Sequence, residues 1–123
     1  MPVNVYRETP ALVVMRSQGE NTFDHVREAT ARLLSKELDV GPGTTVLIDS
    51  RGTLTAFSNG QNALMFQEFK HVFTRGVSRL ALLSDSEIIH ERSQMFAAFA
   101  YSIGVDARCF LDEPSAREWA THP

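Results

Sequence analysis

The sequence has 123 residues, 43% of them hydrophobic, and a formal net charge of −3. That length and apolar content suit a single domain, residues 1–123, with a core of its own, and exclude a disordered chain. The acidic balance argues against a nucleic-acid partner, which needs a basic patch.

Val3 to Tyr6 reads as a short strand broken by Thr9-Pro10, and valine-rich Ala11 to Ser17 as a second. Their short connection makes the pair antiparallel, with the first strand at an edge, where a nearby proline is tolerated. Gln18-Gly19-Glu20 turns the chain. Asn21 or Thr22 caps a helix running to about Leu38, with Phe23, Val26, Leu33, Leu34 and Leu38 on one arc. Gly41-Pro42-Gly43 ends that unit. Thr44 to Asp49 is a strand whose Val46-Leu47-Ile48 does not alternate with polar residues, so both its faces are covered. Ser50 to Asn59 is the longest irregular segment. The helix after it runs to about Arg75, with Met65, Phe66, Phe69, Val72 and Phe73 on one arc, and Gly76 closes it. Val77 to Leu83 is a strand and Ser84-Asp85-Ser86 a capping cluster. The next helix carries Ile88, Ile89, Met95, Phe96, Phe99 and Ile103 on one face and ends at Gly104. Val105 to Leu111 is the last strand. Asp112 or Glu113 caps the final helix, with Pro114 in its first turn and Arg117 one turn from Glu113.

The order β, β-α, β-α, β-α, β-α predicts an α/β fold. It is a mostly parallel five-stranded sheet with four helices, a right-handed βα superhelix, and an antiparallel N-terminal edge strand. Cys109 is the only cysteine, so no intrachain disulfide forms, which fits a reducing compartment. The opening residues lack a signal-peptide pattern, and the longest apolar run, Met95 to Tyr101, is far short of the ~20 residues that span a bilayer. A cytoplasmic location is expected.

Four stretches carry a family likeness: Val14 to Gly19 followed by Thr22-Phe23-Asp24; Val46 to Gly52; Leu80 to Leu83; and Cys109-Phe110 running into Ala116 to Trp119. On these the chain resembles the STAS superfamily, the anti-anti-sigma-factor-like fold. Within it the chain is similar to the small stand-alone sporulation-protein-AA-like proteins related to lipid-binding CRAL-TRIO domains. The resemblance implies the STAS-like βα superhelix and no established catalytic activity. In phosphorylatable members an acidic-Ser-Ser/Thr-Gly-Leu motif starts the helix after the central strand. The matching stretch here is Phe57-Ser58-Asn59-Gly60-Gln61, which keeps Ser58 and Gly60 but has Phe57 for the acid and Gln61 for the leucine.

In an open parallel sheet the ligand crevice lies at the carboxyl ends of the strands. That edge gathers Asp49, Ser50 and Arg51, then Ser84, Asp85 and Ser86, then Asp112 and Glu113. Asp49, Asp85 and Asp112 suit a divalent cation or a hydrolytic site. The same residue types cap helices, and capping is the favoured reading for Asp85 and Asp112. Asp49 is read as a partner for Arg51 or an anchor for the 50–59 loop. Arg51, Ser58 and Asn59 suit an anion at the start of the second helix, although Ser58 or Asn59 as its N-cap is favoured. The candidate ligand-binding residues are therefore Asp49, Arg51, Ser58, Asn59 and Asp85, with Ser58 also the candidate phosphorylation site.

The methionines and phenylalanines of two helices have core spacing. Given the lipid-binding cousins of the resemblance, Phe66, Phe69, Met95 and Phe99 are the candidate walls of an apolar pocket. The four histidines share no metal-ligand spacing, and Cys109 reads as a small buried hydrophobe. The function expected is a non-catalytic binding or regulatory module, for a protein partner or a small apolar or anionic ligand. No catalytic residue, metal or cofactor is expected, and a homodimer is open through the edge strand or an apolar helix face. The alternatives are a phospho-regulated switch at Ser58 and a small metal-dependent or hydrolase-like enzyme at the strand ends.

Overall fold

The valine-rich runs at the start form a hairpin. In the computed structural model, which describes residues 3–54 and 57–122, β1 (Val3–Thr9) pairs antiparallel with β2 (Leu12–Ser17). Thr55 and Ala56, inside the long segment expected from Ser50 to Asn59, lie outside the described residues, as do Met1, Pro2 and Pro123 of the expected 1–123 domain. Strand β1 continues to Thr9 instead of stopping at Tyr6, with a register shift between Arg7 and Thr9. Pro10 then falls in the turn, where its missing N–H is not needed.

The remaining elements alternate: α1 (Phe23–Leu33), β3 (Thr45–Asp49), α2 (Asn59–Thr74), β4 (Arg79–Leu83), α3 (Glu87–Ser102), β5 (Asp106–Phe110) and α4 (Glu113–Thr121). The sheet order is β1-β2-β3-β4-β5, and every pair after the first is parallel. Three crossovers of one hand, each stepping to the next strand in the same direction, put α1, α2 and α3 on one face. Side-chain alternation divides the core accordingly. Val13, Met15, Val46, Leu80 and Leu82 face α1–α3, together with Phe66, Phe69 and Phe96. Leu12, Val14, Leu47, Ala81 and Leu83 face α4 through Ala116 and Ala120. Covering on both faces is what the non-alternating strands require.

Helix α1 ends at Leu33, about a turn before the expected Leu38. The Leu34 N–H bonds back to Thr30 and Ala31, and beyond it the Ser35 carbonyl accepts the Asp39 N–H at 3.2 Å while arginine side chains take the carbonyls of Leu34, Leu38 and Asp39. Arg75 donates to the Leu34 carbonyl at 3.0 Å, and Arg7 donates to the carbonyls of Leu38 and Asp39. Leu34 and Leu38 still pack on the core, which is why the apolar spacing continues past the helix end. In α3 the buried residues are Phe96 and Ala100, whereas Ile88 and Ile103 are half exposed. Ile88 lies about 100° round the helix from inward-facing Ile89. Ile103 is the C-cap, where the backbone has already left helical geometry.

No helix among the described residues is long and apolar enough to cross a membrane.

Candidate functional site

The α1–α3 face contains a cavity of about 120 Å³. Met15, Ile48 and Leu82 supply the sheet side, one from each of β2, β3 and β4. Val26 and Thr30 come from α1, Met65 and Phe69 from α2, and Ile89, Ser93 and Phe96 from α3. Ser17, Ser50 and Thr53 make the lining polar at the carboxyl ends of β2 and β3. The strand-end rule places a crevice at this end of such a sheet. Ser17 and Thr53 hydroxyls lie 3.0 Å apart, and the Thr53 hydroxyl also donates to the Ser17 carbonyl, so the loop after β3 is tied to β2.

Of the four residues expected to wall an apolar pocket, Phe69 lines this cavity, beside Phe96. Phe66, Met95 and Phe99 do not. Phe66 packs edge-on against Phe96 at 5.5 Å and tilted against Phe99 at 5.3 Å, inside the α2–α3 contact. Phe57, which stands where phosphorylatable STAS proteins are expected to carry an acid, also lines the cavity.

The expected ligand-binding residues do not form one cluster. Asp49 is 2% exposed and accepts from Arg51 Nε at 3.0 Å, Arg51 Nη2 at 2.8 Å and the Arg51 backbone N–H at 3.1 Å. Burial alone would raise its pKa. The Arg51 hydrogen bonds, with the charges of Arg51 and Arg16, overcome that and hold the carboxyl below its ordinary value. Arg51 also reaches Glu113 at 3.0 Å, and Arg117 donates to the same Glu113 oxygen at 3.0 Å and pairs with Glu8. This charge ladder ties α4 to β1 and to the end of β3, on the α4 side of the sheet.

Asp85 is not a helix cap. Ser86 holds the N-cap position of α3, and the Asp85 carboxylate instead accepts the Gly52 N–H at 3.2 Å, tethering the loop after β3 to the loop after β4. Asp112 does cap, accepting the Ser115 N–H at 3.0 Å, and that bond lowers its pKa. Among the described residues no group of three or more His, Cys, Asp or Glu side chains is placed to hold a metal ion. The Cys109 thiol is pushed up to about 11 by burial in β5. Trp119 packs tilted against Phe110 at 5.9 Å and carries the Arg79 guanidinium 4.1 Å from its ring, anchoring α4.

At the start of α2, Ser58 is the N-cap. Its hydroxyl accepts the Gln61 N–H at 3.1 Å, and the Gln61 side chain accepts the Ser58 N–H at 3.0 Å. The cation at this helix start is Arg92 of α3, which donates to Asn59 Oδ1 at 2.8 Å; Arg51 is engaged at the ladder. Asn62, 4% exposed, donates to the Arg92 carbonyl at 2.9 Å and ties α2 to α3.

Solved structures agree with this topology over nearly the whole chain. A crystal structure of an uncharacterized protein from the DUF3478 family with a SpoIIAA-like fold, from Shewanella loihica PV-4, matches at a TM-score of 0.65 and 16% identity. It covers 96% of this chain and 91% of its own. The fold here is SpoIIAA-like. The anti-sigma factor antagonist SpoIIAA in its unphosphorylated form matches at a TM-score of 0.58 and 19% identity, over 98% of each chain. No protein-family model matches the sequence, and no curated protein matches it.

Within this SpoIIAA-like frame, the residues missed from sequence are the polar ones inside the helical face of the sheet. Asn62 stands on the arc of Met65, Phe66 and Phe69, and Arg92-Ser93 interrupt the arc from Ile89 to Phe96. A polar residue inside an apolar arc was the available signal, since a buried polar group needs a partner or a task.

Proposed function

We propose that this chain is a non-catalytic binding module that holds a small, largely apolar ligand between its sheet and α1–α3. The supporting observation is the cavity of about 120 Å³ itself. Protein interiors are close-packed, with few voids larger than a water molecule. An apolar cavity of about 150 Å³ in another protein takes up benzene, so this one suits a body of similar or slightly smaller size. Its place at the strand ends, where α/β sheets bind ligands, supports the same reading. The strand-end carboxylates are already engaged, Asp49 by Arg51, Asp85 by Gly52 and Asp112 by Ser115.

Calorimetric titration with hexan-1-ol and benzene tests this. Binding at a single site is expected, and free ligand at 100 times Kd raises stability by about 2.7 kcal/mol. No heat of binding and no change in Tm with either probe would remove the reading.

A second reading, a switch phosphorylated at Ser58, is favoured by one observation. Ser58 is exposed at the N-cap of α2, where a phosphate would meet the unpaired N–H groups of the first turn. Intact-mass measurement of protein isolated from its own cells tests it, and a Ser58 without phosphate under every growth condition counts against it.

A further inference from the structure

Arg92 is the one ionisable side chain among the described residues that line the cavity. Its guanidinium is short of acceptors. Nη1 donates to Asn59 Oδ1 at 2.8 Å, and Nε is buried without a hydrogen-bond partner. No carboxylate among the described residues pairs with it. Arg27 of α1 is paired with Glu68, and Arg51 and Arg117, on the α4 side of the sheet, are paired with Glu113. The remaining polar lining, such as Ser50, Thr53 and Ser93, is neutral.

A buried N–H without an acceptor loses its hydration and gains nothing in return. A guanidinium at the wall of an apolar cavity also lacks a counter-charge. One chemical group removes both deficits. A carboxylate accepts two parallel N–H bonds from the guanidinium fork, and with Nη1 held by Asn59 the Nε–Nη2 edge remains for it. Asn62 holds the Arg92 backbone carbonyl, so the base of this side chain is positioned before any ligand arrives.

Resting on the reading of the cavity as a ligand site, we infer that its ligand is a small amphiphilic monocarboxylate. An apolar body of about six carbon atoms lies among Met65, Phe69 and Phe96, and the carboxylate meets Arg92. Arg92 is then the residue that chooses an acid over the alcohol of the same length.

The experiment compares hexanoate with hexan-1-ol, by calorimetry at neutral pH, in the wild-type protein and in Arg92→Met. The wild type is expected to bind hexanoate about tenfold more tightly than hexan-1-ol, and Arg92→Met to lose that preference while keeping hexan-1-ol. Equal binding of acid and alcohol by the wild type overturns the inference and leaves the cavity reading standing. A preference for hexanoate that survives in Arg92→Met overturns the assignment to Arg92. Failure of both probes to bind the wild type overturns the cavity reading itself. If Arg92→Met does not fold, the wild-type comparison still tests the choice of acid over alcohol, and Arg92→Gln, which keeps an N–H donor for Asn59 without the charge, tests the assignment by the same loss of preference.

Discussion

Replacing Gly76 with alanine perturbs the turn that hands α2 over to β4. Gly76 has φ +106°, and its N–H closes the helix on the Phe73 carbonyl at 3.0 Å. An added Cβ would lie 2.7 Å from both Cγ and Cδ of Pro42 and 3.0 Å from the Pro42 nitrogen. A proline ring cannot swing aside as a flexible side-chain tip can. Two costs therefore add. Left-handed backbone costs a non-glycine residue about 1–2 kcal/mol, and overpacking about 1–3 kcal/mol. Together they amount to about 2–5 kcal/mol, out of a total stability of about 5–15 kcal/mol. At about 4 °C per kcal/mol for a chain of this size, Tm falls by roughly 8–20 °C. Gly43→Ala separates the two costs, because Gly43 has φ +84° but no atom within 4 Å of the added Cβ. Urea unfolding of both variants is the assay. A loss in Gly76→Ala no larger than in Gly43→Ala would refute the close approach of the α2 end to the 41–43 turn.

The Asp49 ladder predicts acid sensitivity. Its folded pKa is lowered, so the stability it contributes is present above the ordinary carboxylate pKa near 4 and is lost as pH falls through the folded value. Asp49→Ala should cost about 2–3 kcal/mol at pH 7, below the range for fully buried pairs because Arg51 keeps Glu113, and should flatten stability against pH below about 4; unchanged acid dependence would contradict it. Ser58→Ala should cost about 1 kcal/mol of stability through the lost cap, whereas Ser58→Asp keeps an acceptor for the Gln61 N–H and should cost less; equal losses in denaturant melts would contradict the cap. Ser93→Leu places a larger apolar side chain on the cavity wall and should abolish hexan-1-ol binding while the circular-dichroism spectrum stays unchanged; undiminished binding would put the ligand elsewhere.

The fold was legible because its signals are local and repeated. Val46-Leu47-Ile48 without alternation announced a strand covered on both sides, and α4 supplies the second cover through Ala116 and Ala120. Gly76, Gly104 and Asp112 ended or began helices where their chemistry requires. The end of α1 was not legible, because Arg75, distant in sequence, takes the Leu34 carbonyl that the Leu38 N–H would have used in a longer helix. The site was legible only in part. Phe69 was named only together with Phe66, Met95 and Phe99, because whether an aromatic faces a void or another ring depends on packing, and Phe66 and Phe99 face rings. Asp85 looked like a cap because its type and place fit one. Its partner, the Gly52 N–H, comes from a different loop that no local pattern reveals. Arg92 was passed over because a lone arginine on a helix usually faces water.

Xenon binding in a crystal tests the central claim most directly, since the gas enters apolar cavities without needing the correct ligand. Xenon is expected at a site bounded by Met65, Phe69, Phe96 and Ile48, occupied in the wild type and absent in Ser93→Leu. A pressurised crystal with no xenon between the sheet and α1–α3 would contradict it.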